Sequence, residues 1–214
     1  MSTKITVDFL VIGSGAAGVC AALYAASEGK AVMLCEKAAK IGGTTALSNA
    51  MIWVPCSDQA VQAGIDDSLE NARTYLRNEL GNYYDDAKIN TYLERGPEAV
   101  RAIEENSEIK FVLAGAPDYH SSQEGGVDKG RALSPVPYDG RKLGKEFNLI
   151  GDPIRVVLGG MMIASSEIKH FLNPFKSTTA MTHVLRRVGR FAIDRLKFSR
   201  GTELSGGNAF LAAA

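Results

Sequence analysis

The stretch from Ile5 to Glu36 constrains this chain more than any other. An apolar run, Ile5, Val7, Phe9, Leu10, Val11 and Ile12, ends in Gly13-Ser14-Gly15-Ala16-Ala17-Gly18. A helical pattern of small residues follows, and then a second apolar run, Ala31 to Cys35, closes on Glu36. The order predicts strand, glycine turn, helix and a second, parallel strand with an acid at its tip. Gly13 permits the tight turn, Gly15 lets a ligand approach the backbone, and Gly18 lets the helix pack closely on the strands. The helix start offers unpaired N–H groups and a positive dipole end to phosphates. A carboxylate about 18 residues past Gly18 is placed to accept from ribose hydroxyls. The whole pattern is that of a dinucleotide site.

Other classes are narrowed by composition. Lys plus Arg and Asp plus Glu are 24 each, so net charge gives no sign of a nucleic-acid partner or an anionic surface. No segment is long and apolar enough to predict a transmembrane span, and the first apolar run is interrupted by Asp8 and leads into the glycine turn rather than a cleavage site. Cys20, Cys35 and Cys56 lack metal-ligand spacing. Cys20 and Cys35 are expected to be buried reduced thiols, which suits the cytoplasm.

Beyond Glu36 the segment Ile41 to Ala50 reads as a loop of glycines and hydroxyls, followed by apolar Met51 to Pro55. Asp67 to Leu80 predicts an amphipathic helix with Leu69, Ala72, Leu76 and Leu80 on one face. Asp85 to Arg95 predicts a second helix, and Pro97 is expected to open a third. Ile109, Phe111 and Leu113 alternate like a short strand. From Ala114 to Gly160 no period is sustained, and a stretch this long usually serves a site or drapes over a partner. Ser177 to about Arg200 predicts a long helix with Met181, Val184, Leu185, Val188, Ala192 and Leu196 as its apolar stripe. Its arginines are expected on a solvated face. Gly206-Gly207 is expected to end a turn, with Asn208 capping a last helix from Ala209.

Gly42-Gly43-Thr44-Thr45-Ala46-Leu47-Ser48, followed by Trp53-Val54-Pro55, carries a family likeness. The chain resembles flavoproteins of the fumarate reductase/succinate dehydrogenase superfamily and, within it, 3-ketosteroid Δ1-dehydrogenases. Pro117-Asp118-Tyr119, Tyr138 to Gly144, Gly159 to Met162, and Arg200 to Leu204 with Gly207-Asn208-Ala209 extend the likeness over nearly the whole chain. The resemblance implies an α/β fold: the start of a Rossmann-like FAD-binding domain with parallel strands, plus a mostly helical, loop-rich insertion of a substrate domain. It divides the chain into 1–114 (FAD domain start and following helices), 115–176 (loop-rich substrate region) and 177–214 (long helix and return to the FAD domain).

The resemblance further implies FAD held at Gly13, Ser14, Gly15, Ala16, Ala17 and Gly18, with Glu36 on the adenosine ribose and Lys37 beside it. Gly42, Gly43, Thr44, Thr45, Ala46 and Ser48 would run along the pyrophosphate and flavin. Similar enzymes usually carry two glycines where this chain has Asn49-Ala50. The implied reaction places a double bond beside a ketone by proton abstraction and hydride transfer to flavin. Tyr119 is implied as an active-site tyrosine supporting a second tyrosine that acts as base. The neighbouring His120 titrates near neutrality as a residue type. Similar proteins are more than twice as long, so the resemblance implies an N-terminal fragment or split subunit. The base and ketone-polarising groups are then expected past Ala214, in a half that is absent through truncation or that a partner chain could supply, and the chain alone is expected to be inactive or to bind FAD weakly. A fumarate-reductase-like enzyme and a non-catalytic remnant are the alternatives.

Overall fold

The computed structural model describes residues 4–153 and 159–214. The first elements are β1 (Phe9–Ile12), α1 (Ala16–Ser27), β2 (Val32–Cys35), α2 (Gly43–Leu47), β3 (Ile52–Trp53) and α3 (Asp58–Gln62). Then come α4 (Leu69–Leu80), α5 (Asp86–Glu105), β4 (Phe111–Leu113), β5 (Ala132–Pro135) and β6 (Tyr138–Asp139). The last are α6 (Ile168–Leu172), α7 (Thr178–Asp194), β7 (Glu203–Leu204) and α8 (Gly206–Ala213). The chain forms two compact units, residues 1–50 with 136–214, and Met51–Pro135.

In the first unit β1 and β2 pair in parallel with Phe9 opposite Val32 and Ile12 opposite Cys35. This is the strand, turn, helix and strand read from the sequence. With only two strands paired in this sheet, β1 is left uncovered: Phe9, Leu10 and Ile12 are 50, 57 and 83% exposed. Cys35 is exposed and Cys20 half-buried, contrary to the expected burial of both. A two-stranded sheet has too little cover to bury its second strand. β6 and β7 form an antiparallel pair in the same unit.

α7 starts as expected, with the Ser177 hydroxyl accepting from the Ala180 N–H at 3.1 Å. Its faces are partly exchanged, however. Leu185, Ile193 and Leu196 are 63, 67 and 83% exposed, while Arg187 is 3% exposed. The buried arginine finds Glu167 at 3.0 Å, the Glu203 carboxylate and the Met162 carbonyl at 2.7 Å. Arg190 reaches Asp139 at 2.8 Å and Glu203 at 3.1 Å. Asp194 accepts from the Thr202 N–H and hydroxyl at 2.9 and 2.6 Å. Carboxylates from distant segments meet Arg187 and Arg190, so these two turn inward as a paired network, while Arg186, Arg195 and Lys197 stay exposed as expected.

The second unit packs α4 and α5 beside a three-stranded antiparallel sheet of order β3-β5-β4. α4 is capped by Ser68, whose hydroxyl accepts from Asn71 N–H, and α5 by Asp85, which accepts from Lys88 N–H. α5 runs unbroken through Pro97, so the expected break is absent. Leu93 and Val100, two turns apart on one face, are both buried, and that shared burial outweighs the hydrogen bond that proline removes. Their neighbours in the core include Ala72, Ile109, Phe111 and Leu133. The aperiodic stretch from 114 to 160 contributes β5, β6 and 3-10 turns over Gly140–Leu149 broken at Gly144. Residues 154–158 of that stretch lie outside the described residues. Among the described residues no helix is long and apolar enough to cross a membrane.

Candidate functional site

The cofactor residues expected from the sequence converge within the first unit. Gly13 leaves β1 at φ 98°, a left-handed conformation that suits glycine. A Cβ at Gly18 would be driven into the Gly13 carbonyl, so the helix can pack this closely only with glycine there. A Cβ at Gly15 would meet only the Thr45 hydroxyl, at 3.7 Å, and one at Gly43 nothing within 4 Å. The backbone is therefore bare on this side, forming a cradle that side chains would fill. The α1 N-cap, Gly15, makes no side-chain cap bond. Instead the Thr45 hydroxyl accepts from the Ala16 N–H at 2.9 Å and joins the glycine turn to α2.

Ser14 is the hub. Its side chain is buried, donates to Glu36 Oε2 at 2.5 Å and accepts from the Gly42 N–H at 2.9 Å. Its backbone N–H also donates to Glu36 Oε2, at 3.0 Å. Ala38 N–H donates to Oε1 at 2.9 Å. The Ala38 N–H, then the Ser14 hydroxyl and N–H, hold the Glu36 carboxyl down at about 2. An ionised acceptor is thus fixed at the tip of β2. The folded-state value lies below the ordinary 4.5, so this stabilisation is complete above 4.5 and is lost as pH falls toward about 2. Ser14→Ala is expected to raise the Glu36 titration midpoint toward 4.5, read by NMR of the side-chain carboxyl carbon. An unchanged midpoint would exclude Ser14 as its anchor.

Lys37, Thr44 and Ser48 are exposed, as are Ala17 and Gly43. Gly42 to Leu47 is not the expected loop: Gly43–Leu47 forms the short helix α2, with Ala46 buried. α8 clamps it from the far end of the sequence. Asn208 Nδ2 donates to the Ala46 carbonyl at 2.8 Å, and Gly207 N–H to the Ser48 carbonyl at 3.0 Å. Arg200 donates to Asn208 Oδ1 at 2.6 Å. The expected cap role of Asn208 is therefore replaced: α8 begins at Gly206, and Asn208 lies inside it, fully buried. A Cβ at Gly207 would penetrate the Thr45 carbonyl. The sequence signal was the Gly-Gly-Asn run, which also reads as an ordinary turn. At the departure Asn49-Ala50, Ala50 adopts φ 47°. Left-handed backbone costs an L-residue about 1–2 kcal/mol, and glycine returns some of that as lost chain entropy. Ala50→Gly is expected to stabilise by about 0.5–1 kcal/mol in denaturant melts.

Tyr119 belongs to the second unit, where it is 99% exposed at the mouth of a cavity of about 510 Å³. Trp53, Tyr75, Tyr92, Leu76, Ile89 and Pro117 form much of its wall. Trp53 stacks on Tyr92 at 6.4 Å between centroids and lies 6.1 Å from Tyr75. The Tyr92 hydroxyl donates to the Trp53 carbonyl. Burial raises the Tyr75 and Tyr92 phenols above their ordinary value, so both remain neutral donors. His120 Nδ1 lies 2.6 Å from Glu79. Behind the wall sits a group that sequence reasoning missed, Arg131 with Asp67 and Asp118. Asp118 lies in the Pro117-Asp118-Tyr119 segment, but Asp67 and Arg131 fall in no motif.

Comparison with known proteins agrees with this geometry. A family model described as FAD binding domain matches residues 8–213. The chain is 36% identical over 161 residues to 3-oxosteroid 1-dehydrogenase of Mycolicibacterium smegmatis, a match covering 75% of this chain and 28% of that protein. It is 35% identical over 211 residues to 4-oxocyclohex-2-ene-1-carboxylate 5-dehydrogenase of Sinomonas cyclohexanicum, covering 97% of this chain and 35% of that one. The crystal structure of 3-ketosteroid delta1-dehydrogenase from Sterolibacterium denitrificans, in complex with 1,4-androstadiene-3,17-dione, superposes with a TM-score of 0.85 at 29% identity. That superposition covers 98% of this chain and 38% of the solved one. The chain thus spans about a quarter to two-fifths of these relatives' lengths, in keeping with relatives more than twice as long. The glycine cradle, the anchored acid at the tip of β2 and a match that runs through both units place the chain in the FAD binding domain family, whose cofactor is FAD.

Proposed function

We propose that this chain is the cofactor-holding part of an FAD-dependent dehydrogenase that introduces a double bond beside a ketone in a cyclic, steroid-like substrate. The cavity of Met51–Pro135 carries the reading. Its aromatic and aliphatic wall and its volume of about 510 Å³ suit a rigid apolar ring system. The names of the similar enzymes, which include 3-oxosteroid and oxocyclohexene-carboxylate dehydrogenases, point the same way.

FAD, when bound, supplies the hydride acceptor. The chain supplies the cradle. The bare turn from Gly13 to Gly18, with Ala16 and Ala17 at the helix start, receives the pyrophosphate, and Glu36 accepts from the ribose with Lys37 beside it. Gly42, Gly43, Thr44, Thr45, Ala46 and Ser48 border the remainder through backbone N–H groups and small hydroxyls. Tyr119 lines the substrate face and supports proton transfer by a base from outside this sequence. The exposed apolar β1 supports cover by further polypeptide, in the same chain or a partner. A cytoplasmic location fits three free cysteines.

The test is a flavin absorbance spectrum of the purified chain, before and after adding FAD and gel filtering, and then with 4-androstene-3,17-dione under anaerobic conditions. Retained flavin whose spectrum shifts or bleaches with the steroid is the expected result. A folded chain that retains no flavin overturns the cofactor role of this segment. Retained flavin indifferent to steroid overturns the substrate assignment.

A further inference from the structure

Arg131 is a cation with its side chain 1% exposed. Its Nε and Nη2 donate to the two oxygens of Asp67, each at 2.7 Å, in a fork-on-fork pair. Its Nη1 donates to Asp118 Oδ2 at 2.8 Å. Asp118 is saturated in turn: Oδ1 accepts from the Trp53 indole at 2.6 Å and Oδ2 from Val127 N–H at 3.2 Å. The guanidinium lies 5.4 Å from the Trp53 ring centroid and 5.7 Å from that of Tyr75. Two carboxylates on one guanidinium leave the cluster one charge short of neutral. Such a group is a poor device for stability alone, since burying ions is expensive and apolar packing would serve as well. What it does provide is geometry, because a planar fork has one orientation.

The geometry it fixes is that of the cavity wall. Asp67 lies just before the Ser68 cap of α4, so the fork ties Asp118 to the start of that helix. Further along α4, the Tyr75 hydroxyl accepts from the His120 N–H at 3.4 Å, and Glu79 holds the His120 ring. Tyr119 is thus bracketed by two residues anchored to one helix, while its own ring projects freely into solvent. We propose that Arg131 is a positioning residue: bridging Asp67 and Asp118, it sets Pro117-Asp118-Tyr119 against Trp53 and so fixes the shape of the wall that meets a ring ketone. This rests on reading the cavity as the substrate face. Carboxylates outweigh the effect of burial and hold the Arg131 pKa above its ordinary value, so the cluster stays charged.

Trp53 is the only tryptophan in the chain, so its fluorescence reports on this wall directly. The experiment uses the full chain loaded with FAD, Asp67→Asn as a near-isosteric variant, and 4-androstene-3,17-dione as probe. The expected result at room temperature is an unchanged circular dichroism spectrum, a red-shifted Trp53 emission more open to acrylamide, and steroid affinity reduced about tenfold or more. Combined with Tyr119→Phe, the loss should be less than additive, because both act on one segment. A variant with lower Tm but wild-type emission and wild-type affinity overturns the proposal and leaves a structural role only. If the unaltered chain does not bind the steroid, the substrate reading fails, and Trp53 emission in Asp67→Asn alone decides the positioning role: a shift upholds it and no shift overturns it. Should Asp67→Asn not fold, amide exchange in the unaltered chain decides instead. The Asp118 and Val127 amides should open together with those of α4, and independent fast exchange overturns the proposal.

Discussion

Arg131→Met is expected to destabilise the Met51–Pro135 unit by about 3–5 kcal/mol. The reason is what it leaves behind. Asp67 and Asp118 have side chains 4 and 2% exposed, and without the guanidinium both are buried carboxylates without a counter-ion. Methionine refills most of the volume, so the loss measures charge rather than a cavity. Urea unfolding followed by Trp53 fluorescence reads it in this unit directly. Adding Asp67→Asn and Asp118→Asn to the same variant should recover much of the loss, since the orphaned charges are then removed. A loss below about 1 kcal/mol in the single variant would show that the cluster is hydrated and worth no more than a surface pair.

Gly18→Ala is expected to weaken FAD retention by about 100-fold or more, equivalent to roughly 3 kcal/mol. Its Cβ has nowhere to go: the Gly13 carbonyl oxygen stands in its path, and the Val11 side chain is 3.4 Å away. Neither α1 nor the turn can yield without distorting the glycine turn proposed to receive the pyrophosphate. Gly29→Ala is a control for general destabilisation of the same βαβ unit, because its φ of 73° strains an alanine there while the Cβ meets nothing within 4 Å. Flavin absorbance after gel filtration separates the two. Equal retention in Gly18→Ala and the unaltered chain would place the cofactor elsewhere.

The parts of this molecule visible in the sequence are those governed by nearest neighbours. β1, α1 and β2 follow from alternation, glycine spacing and small residues within one short segment, and the caps at Ser68, Asp85 and Ser177 act over three positions. What escaped was decided by distant partners. Pro97 is an ordinary helix opener locally, yet burial of Leu93 and Val100 on one face carries α5 through it. Arg187 and Arg190 of α7 look solvated until Glu167, Asp139 and Glu203 arrive from other segments. Arg131 falls in the stretch without a sustained period, and its partners lie 64 and 13 positions away. Within the cofactor cradle the residue types were legible, whereas the hub role of Ser14 and the clamp by Asn208 depend on three-dimensional register.

The clamp on α2 also sets an order of events during synthesis. Asn208 meets the Ala46 carbonyl across 162 positions of chain. At about 5–20 residues per second, the ribosome needs roughly 8–30 s to make the intervening stretch. For that interval the βαβ start is complete but the glycine-threonine segment lacks the helix that holds it. The nascent chain therefore passes through a period in which the glycine turn exists without the clamped α2 beside it, and its apolar β1 is open to chaperones throughout that period.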